Sequence, residues 1–187
     1  MFRLLGVFAF LSAVLLGGQG MAHAGELPAA KGPVVLTLAG NLENTNRPPF
    51  DDFEDAFFKY HEKTFDKAAE FDIALLESLG TTEIEVSYDA WPKAYRFEGP
   101  RLKDVLAAVG ATASTVRVHA LDGYAVELSK AQLDGEDWIV ALKRDGEYLK
   151  LGQRGPVWMT HDPGADKKIT KDEESKWVWT VFYIEVE

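Results

Sequence analysis

Residues 83–106 read EIEVSYDAWPKAYRFEGPRLKDVL. Ile84, Val86 and Tyr88 alternate with charged or small residues, the period of a strand with one wet face. The alternation breaks at Asp89-Ala90-Trp91-Pro92. A Gly99-Pro100 turn signal then leads into Leu102, Val105, Leu106 and Val109, a helical spacing closed by Gly110. A strand, an irregular break and a short helix in sequence raise the question of what the break holds, and the rest of the chain supplies the context.

On the C-terminal side, residues 115–121, 126–128 and 138–142 are strand candidates. Asp145-Gly146 is a hairpin turn into 148–151. Residues 157–160 and 177–186 supply the last strands, separated by a polar loop over 161–176. On the N-terminal side, residues 25–33 form a Pro/Gly/Ala linker and 34–38 a strand. From 47 to 80, Phe50, Phe53, Phe57 and Tyr60, then Phe65, Ala69, Ile73 and Leu76, recur at three- and four-residue intervals. This spacing predicts two amphipathic helices, with Asp51-Asp52 as a cap suited to the positive end of the helix dipole. Strands mixed with few helices, without regular βαβ alternation, give an α+β class with mixed sheets.

The chain has 187 residues, a formal net charge of -10 and no cysteine. Its N-terminus carries Arg3, an uncharged run over 4–16 and Ala22-His23-Ala24, the pattern of a secretory signal peptide cleaved after Ala24. The run is shorter than the ~17–25 apolar residues of a bilayer span, so direct membrane insertion is not expected. Export to the periplasm follows, and the remaining length suits one domain with its own core. Without cysteine there is no disulfide, thiolate metal ligand, thiol nucleophile or redox dithiol. The acidic balance argues against nucleic acid or anionic lipid as partners.

Few motifs of catalysis are present. The histidines outside the leader, His61, His119 and His161, have no spacing that puts two imidazoles on one helix face, so no metal site is expected. There is no G-x-S-x-G elbow and no glycine-rich phosphate loop. Aromatic and amide residues say more. Trp91, Trp158 and Trp177 each stand at a strand end or beside a turn. Asn41, Asn44 and Asn46 cluster in GNLENTN, and Asp122 and Tyr124 follow a strand in ALDGY. An aromatic face to stack on, with an amide or carboxylate to read an edge, suits a planar heterocycle. Structural roles compete: one of Trp177 and Trp179 belongs to the core by alternation, Asp122-Gly123 reads as a turn, and the Asn loop reads as Asx-turns.

The order of AGNLENTN, FDIALLESLG, RFEGPRLKDVLAAVGA, VHALDGYAVEL, WIVALKRDGEYLKLGQRGPVWMTHDPG and KWVWTVFYIEV resembles the sulfite-oxidase-like molybdopterin-binding domain. The resemblance runs from about Val34 to the C-terminus and is narrower still to small exported relatives of that family. In the family's enzymes the strand matching 84–89 ends in a molybdenum-ligating cysteine. Ser87, Tyr88 and Asp89 stand there instead, and a hydroxyl or phenol does not replace a soft thiolate. The resemblance therefore implies the family's fold without its metal or catalytic residues. It further implies a binding protein for a pterin-like ligand that reports to the periplasmic domain of a membrane signalling protein. Trp91, Trp158 and Trp177 would offer faces, Asn41, Asn46, Asp122 and Tyr124 edges, and Arg96 or Arg154 charge. The alternatives are a molybdopterin-dependent oxidoreductase or its accessory subunit, and an interaction protein with no small ligand. Residues 47–71 look longer and more aromatic than the family's connector, a helical insertion that lids the cleft, docks a partner or covers the sheet.

Overall fold

The computed structural model describes residues 27–187. The expected leader, 1–24, lies outside the described residues. No helix among the described residues is long and apolar enough to cross a membrane.

The chain opens with β1 (Val34–Gly40), a single-turn helix α1 (Ala56–Tyr60), β2 (Ala68–Asp72) and α2 (Ile73–Ser78). The segment around the break contributes β3 (Thr82–Val86), β4 (Tyr95–Gly99) and α3 (Leu102–Ala108). Then come β5 (Thr115–Ala120), β6 (Ala125–Ser129), α4 (Lys130–Gly135) and β7 (Trp138–Ala141). A small hairpin, β8 (Lys143–Arg144) and β9 (Glu147–Tyr148), precedes β10 (Trp158–His161). Last are α5 (Lys171–Glu174), β11 (Val178–Trp179) and β12 (Val181–Val186). The class is α+β, as the mixture of sequence periods requires.

Three sheets result, in the orders β2-β1-β12-β5-β6, β11-β10-β7 and β3-β4-β8-β9. The first strand lies parallel to the last, with Leu38 opposite Ile184, and the other ladders are antiparallel. Backbone bonds from Val140 to Pro100 and from Leu142 to Glu98 tie the β3-β4 sheet to the β7-β10 sheet. Leu36, Leu38, Phe71, Ile84, Phe97, Ile139, Trp158 and Met159 meet in one core between the sheets. Each fully buried side chain of this size contributes roughly 1.5–3 kcal/mol.

The region 47–80 departs from the two-helix expectation. Residues 52–55 are turns, α1 is one turn long, and Ala68–Asp72 is a strand on β1. The strand is buried on both faces, with only Glu70 partly exposed, so its apolar positions do not alternate and mimic helical spacing. The cap also differs. Asp51 accepts the backbone N–H groups of Phe53 and Glu54, which shapes the turn before α1, whereas Asp52 pairs with Lys59 at the surface. Phe50, Phe58 and Phe65 pack with Phe182 and Tyr183 in a second cluster beside Ala39 and Ala68. The insertion therefore covers part of the five-stranded sheet, clamped by Arg47, which pairs with Asp55 at 2.6 Å and lies 4.6 Å over Phe65.

Three smaller differences follow from local chemistry. The strand expected over 177–186 is broken at Thr180, which adopts φ 52 between β11 and β12. The polar stretch 161–176 holds a 3-10 turn at Gly164–Asp166 and α5, capped by a Thr170/Glu173 capping box. Residues 27–33 are pinned: Leu27 is buried, and Asp72 accepts the N–H groups of Lys31 and Gly32.

Candidate functional site

The break after β3 is held by the loop that follows β10. Ser87 donates its backbone N–H to Lys167 O at 2.6 Å and its hydroxyl to the same oxygen at 2.9 Å, while Ile169 N–H donates to Ser87 O at 3.0 Å. Lys168 pairs with Asp89 at 2.8 Å. Tyr88 accepts the Trp91 N–H in a turn. These residues do not fit a molybdenum centre: Ser87 spends its hydroxyl on the backbone, and no thiol exists to take its place.

The turn delivers Trp91 into an aromatic cluster. Its ring lies 5.9 Å from both Trp158 and Trp177 and 6.0 Å from Phe97. Trp158 and Trp177 are buried, and their indole N–H groups find no partner among the described residues. The edge-to-face and tilted geometries are the favourable ones for such rings. Arg154 carries its guanidinium over the same cluster, 4.9 Å from the Trp158 ring and 5.9 Å from Trp179.

Beside this cluster lies a cavity of about 240 Å³ lined by Ala120, Asp122, Tyr124, Glu174, Ser175, Trp177 and Trp179. It is below the usual volume of sites for drug-sized ligands and suits a small ring system. The turn from β5 to β6 builds one wall: Gly123 takes φ +90, Asp122 accepts the Tyr124 N–H at 3.0 Å, and Ala120 N–H donates to Tyr124 O. The Tyr124 hydroxyl donates to Ser175 O at 2.6 Å, which ties that wall to the residue after α5. Asp122 therefore has one oxygen committed and one left for a ligand.

Of the residues singled out from sequence, Trp91, Trp158, Trp177 and Arg154 meet in the cluster, and Asp122, Tyr124 and Trp177 share the adjoining cavity. Three stand elsewhere. Asn41 lines a separate, more open cavity of about 940 Å³ with Lys67, Tyr183 and Glu185. Asn46 donates to Pro28 O and Glu70 O and accepts from Glu70 N–H, so its amide pins the N-terminal segment to β2. Arg96 is exposed on β4 with Glu83 at 3.8 Å, in a different sheet from the cavity walls.

Sequence reasoning left out two wall residues. Trp179 is 40 % exposed while Trp177 is 3 % exposed, so Trp177 is the core member and Trp179 the available face, a split that a period of two, which sets both on one side, does not make. Glu174, the last residue of α5 in a stretch that carried no periodic signal, offers a carboxylate with no hydrogen-bond partner among the described residues. The chain matches no family model and no curated protein.

Proposed function

We propose that this protein is a non-catalytic binding module for a flat heterocycle with a polar edge, of the pterin type, on a sulfite-oxidase-like scaffold. The observation that carries the reading is the convergence of Asp122, Tyr124, Trp177 and Trp179 from separate stretches of chain on one small cavity beside the Trp91/Trp158 cluster. The exposed face of Trp179 would stack the ring. Glu174 and the free oxygen of Asp122 would accept hydrogen bonds from an amino-pyrimidinone edge, whose N–H groups match carboxylate acceptors. Arg154, held against Trp158 and Trp179, would meet an electron-rich oxygen. No molybdenum chemistry is proposed, since no thiolate is available to hold the metal.

Export to the periplasm and a signalling partner in the membrane belong to the same proposal. Two exposed rings of the 47–71 insertion, Phe53 and Tyr60 at 84 % and 82 %, support a docked partner.

Calorimetric titration of the mature protein with a simple pterin tests the binding reading. Binding at micromolar concentrations is expected. Trp179→Ala should weaken it by about 1–3 kcal/mol, the scale of base-on-aromatic stacking, or roughly 5- to 150-fold in Kd. No binding by the wild type would sink the proposal.

A further inference from the structure

An apolar cavity of about 560 Å³ lies where the 47–71 insertion covers the five-stranded sheet, within the roughly 300–1,000 Å³ of small-molecule sites. Phe57 and Phe58 of α1 and Phe182 of β12 supply aromatic walls, and Val34, Leu121 and Leu151 stand around them. Its polarity is inverted. Leu151 is 70 % exposed, and Val34 and Phe57 are nearly half exposed, so the apolar members form the rim. The polar members are the covered ones: Thr37 is 1 % exposed, and the Arg47 and Asp55 side chains are about nine-tenths buried. A surface normally places these the other way round, and a ligand with a polar tip and an apolar body would satisfy both ends.

Two of the polar groups are engaged and two are free. Arg47 donates to Asp55 at 2.6 Å and lies against the Phe58 and Phe65 rings, so its guanidinium is fixed. Both Asp55 oxygens are taken, one by Arg47 and the other by the Asp51 backbone N–H at 3.0 Å. Thr37 and Glu70 stand directly opposite each other on β1 and β2, which sets their Cβ atoms ~4.5–5.5 Å apart on one face of the sheet. The Thr37 hydroxyl makes no hydrogen bond among the described residues. The Glu70 carboxylate has only Arg47 Nε nearby, at 4.0 Å, beyond hydrogen-bond range. One cation, Arg47, against the two carboxylates of Asp55 and Glu70 leaves the polar end with one negative charge.

We propose that this cavity binds an arylalkylamine, a primary ammonium on a short chain that ends in an aromatic ring, at a site separate from the heterocycle cavity. The ammonium brings N–H donors and one positive charge, which the Glu70 carboxylate and the Thr37 oxygen accept side by side. The ring joins Phe57, Phe58 and Phe182, of which Phe182 already meets the other two at centroid distances of 5.1 and 6.0 Å. At such spacings aromatic edges and faces attract. The body of the ligand covers the exposed Leu151 side chain at the rim. A carboxylate on the same body would face Glu70 and find Arg47 already paired.

The test is calorimetric titration of the mature protein with phenethylamine, with phenethyl alcohol and phenylacetate as its neutral and anionic counterparts. Saturable one-to-one binding of the amine is expected, about tenfold or more tighter than the alcohol, the worth of a charge-assisted hydrogen bond. Phenylacetate should not saturate the site. Glu70→Gln keeps the shape and removes the charge, and should bring amine binding down to that of the alcohol. The bonds of Glu70 to Asn46 run through its backbone, so this variant keeps its fold. The methyl resonances of Val35 and Leu151 should move during the wild-type titration, which locates the ligand without any variant. Absence of saturable amine binding, equal affinity for the alcohol or phenylacetate, an unweakened Glu70→Gln variant, or Val35 and Leu151 methyls that stay in place would each overturn the proposal. A response at the Trp179 indole instead would put the amine in the heterocycle cavity and overturn it as well.

Discussion

At the scale of the residue, the clearest electrostatic departure is His119 on β5. Burial, with the nearby Lys63 cation, lowers its pKa to about 4, against the opposing pull of Glu185 at 3.5 Å. A histidine whose folded pKa lies below its unfolded value is buried neutral. Its contribution is complete above the unfolded pKa of about 6.5 and is lost as pH falls from there towards 4, because the unfolded chain takes up the proton first. Denaturant melts should therefore show stability falling by roughly 2 kcal/mol between pH 6.5 and 4.5 through this residue. His119→Gln should lack that component, and an unchanged pH profile in the variant would contradict the assignment. Single residues were legible in proportion to how local their roles are. Asp122-Gly123 could be read as a turn, whereas Trp177 and Trp179, two residues apart, could not be told apart by strand alternation, which sets both on one face. Asn46, by contrast, reaches Pro28 and Glu70, partners that no local pattern announces.

At the scale of the element, turn chemistry was more legible than pattern in the middle. Ser129-Lys-Ala-Gln132 and Thr170-Lys-Asp-Glu173 form capping boxes at the starts of α4 and α5, two short helices that the sequence reading did not predict. The hairpin at Asp145-Gly146 takes positive φ at both residues, as a type I′ turn demands. β2 was hidden because a strand buried on both faces loses its alternation. β4 was hidden because Tyr95-Arg96-Phe97 is short and ends in the Gly-Pro signal. That glycine matters for packing: a Cβ on Gly99 would collide with the Val140 carbonyl, where β4 crosses β7. Gly99→Ala should destabilise the fold by about 2 kcal/mol or more, since backbone rather than a flexible side chain must yield. Phe97→Ala, at the centre of the aromatic cluster, should cost roughly 3–5 kcal/mol. Phe53→Ser together with Tyr60→Ser should change stability by less than about 1 kcal/mol, because neither ring is buried. A large loss in thermal melts of that double variant would mean the insertion's aromatic face belongs to the core.

At the scale of the whole molecule, the α+β class was readable from the mixture of periods, but the arrangement of the sheets was not. The parallel pairing of β1 with β12 joins the two ends of the described chain, and no spacing in the sequence encodes it. That pairing and the antiparallel β12-β5 ladder set the ALDGY turn, after β5, beside the β11 segment before β12, so Asp122 and Trp179 share a cavity although they are distant in sequence. The central claim is that this cavity holds a flat polar heterocycle. The most direct test follows the indole N–H resonances of the five tryptophans, each assigned by substitution, while a pterin is titrated into the mature protein. The account predicts saturable shifts largest for Trp179 and next for Trp177, with Trp138, beyond His161, left in place. Indole resonances that stay unmoved at millimolar pterin, or a response centred on Trp138, would contradict it.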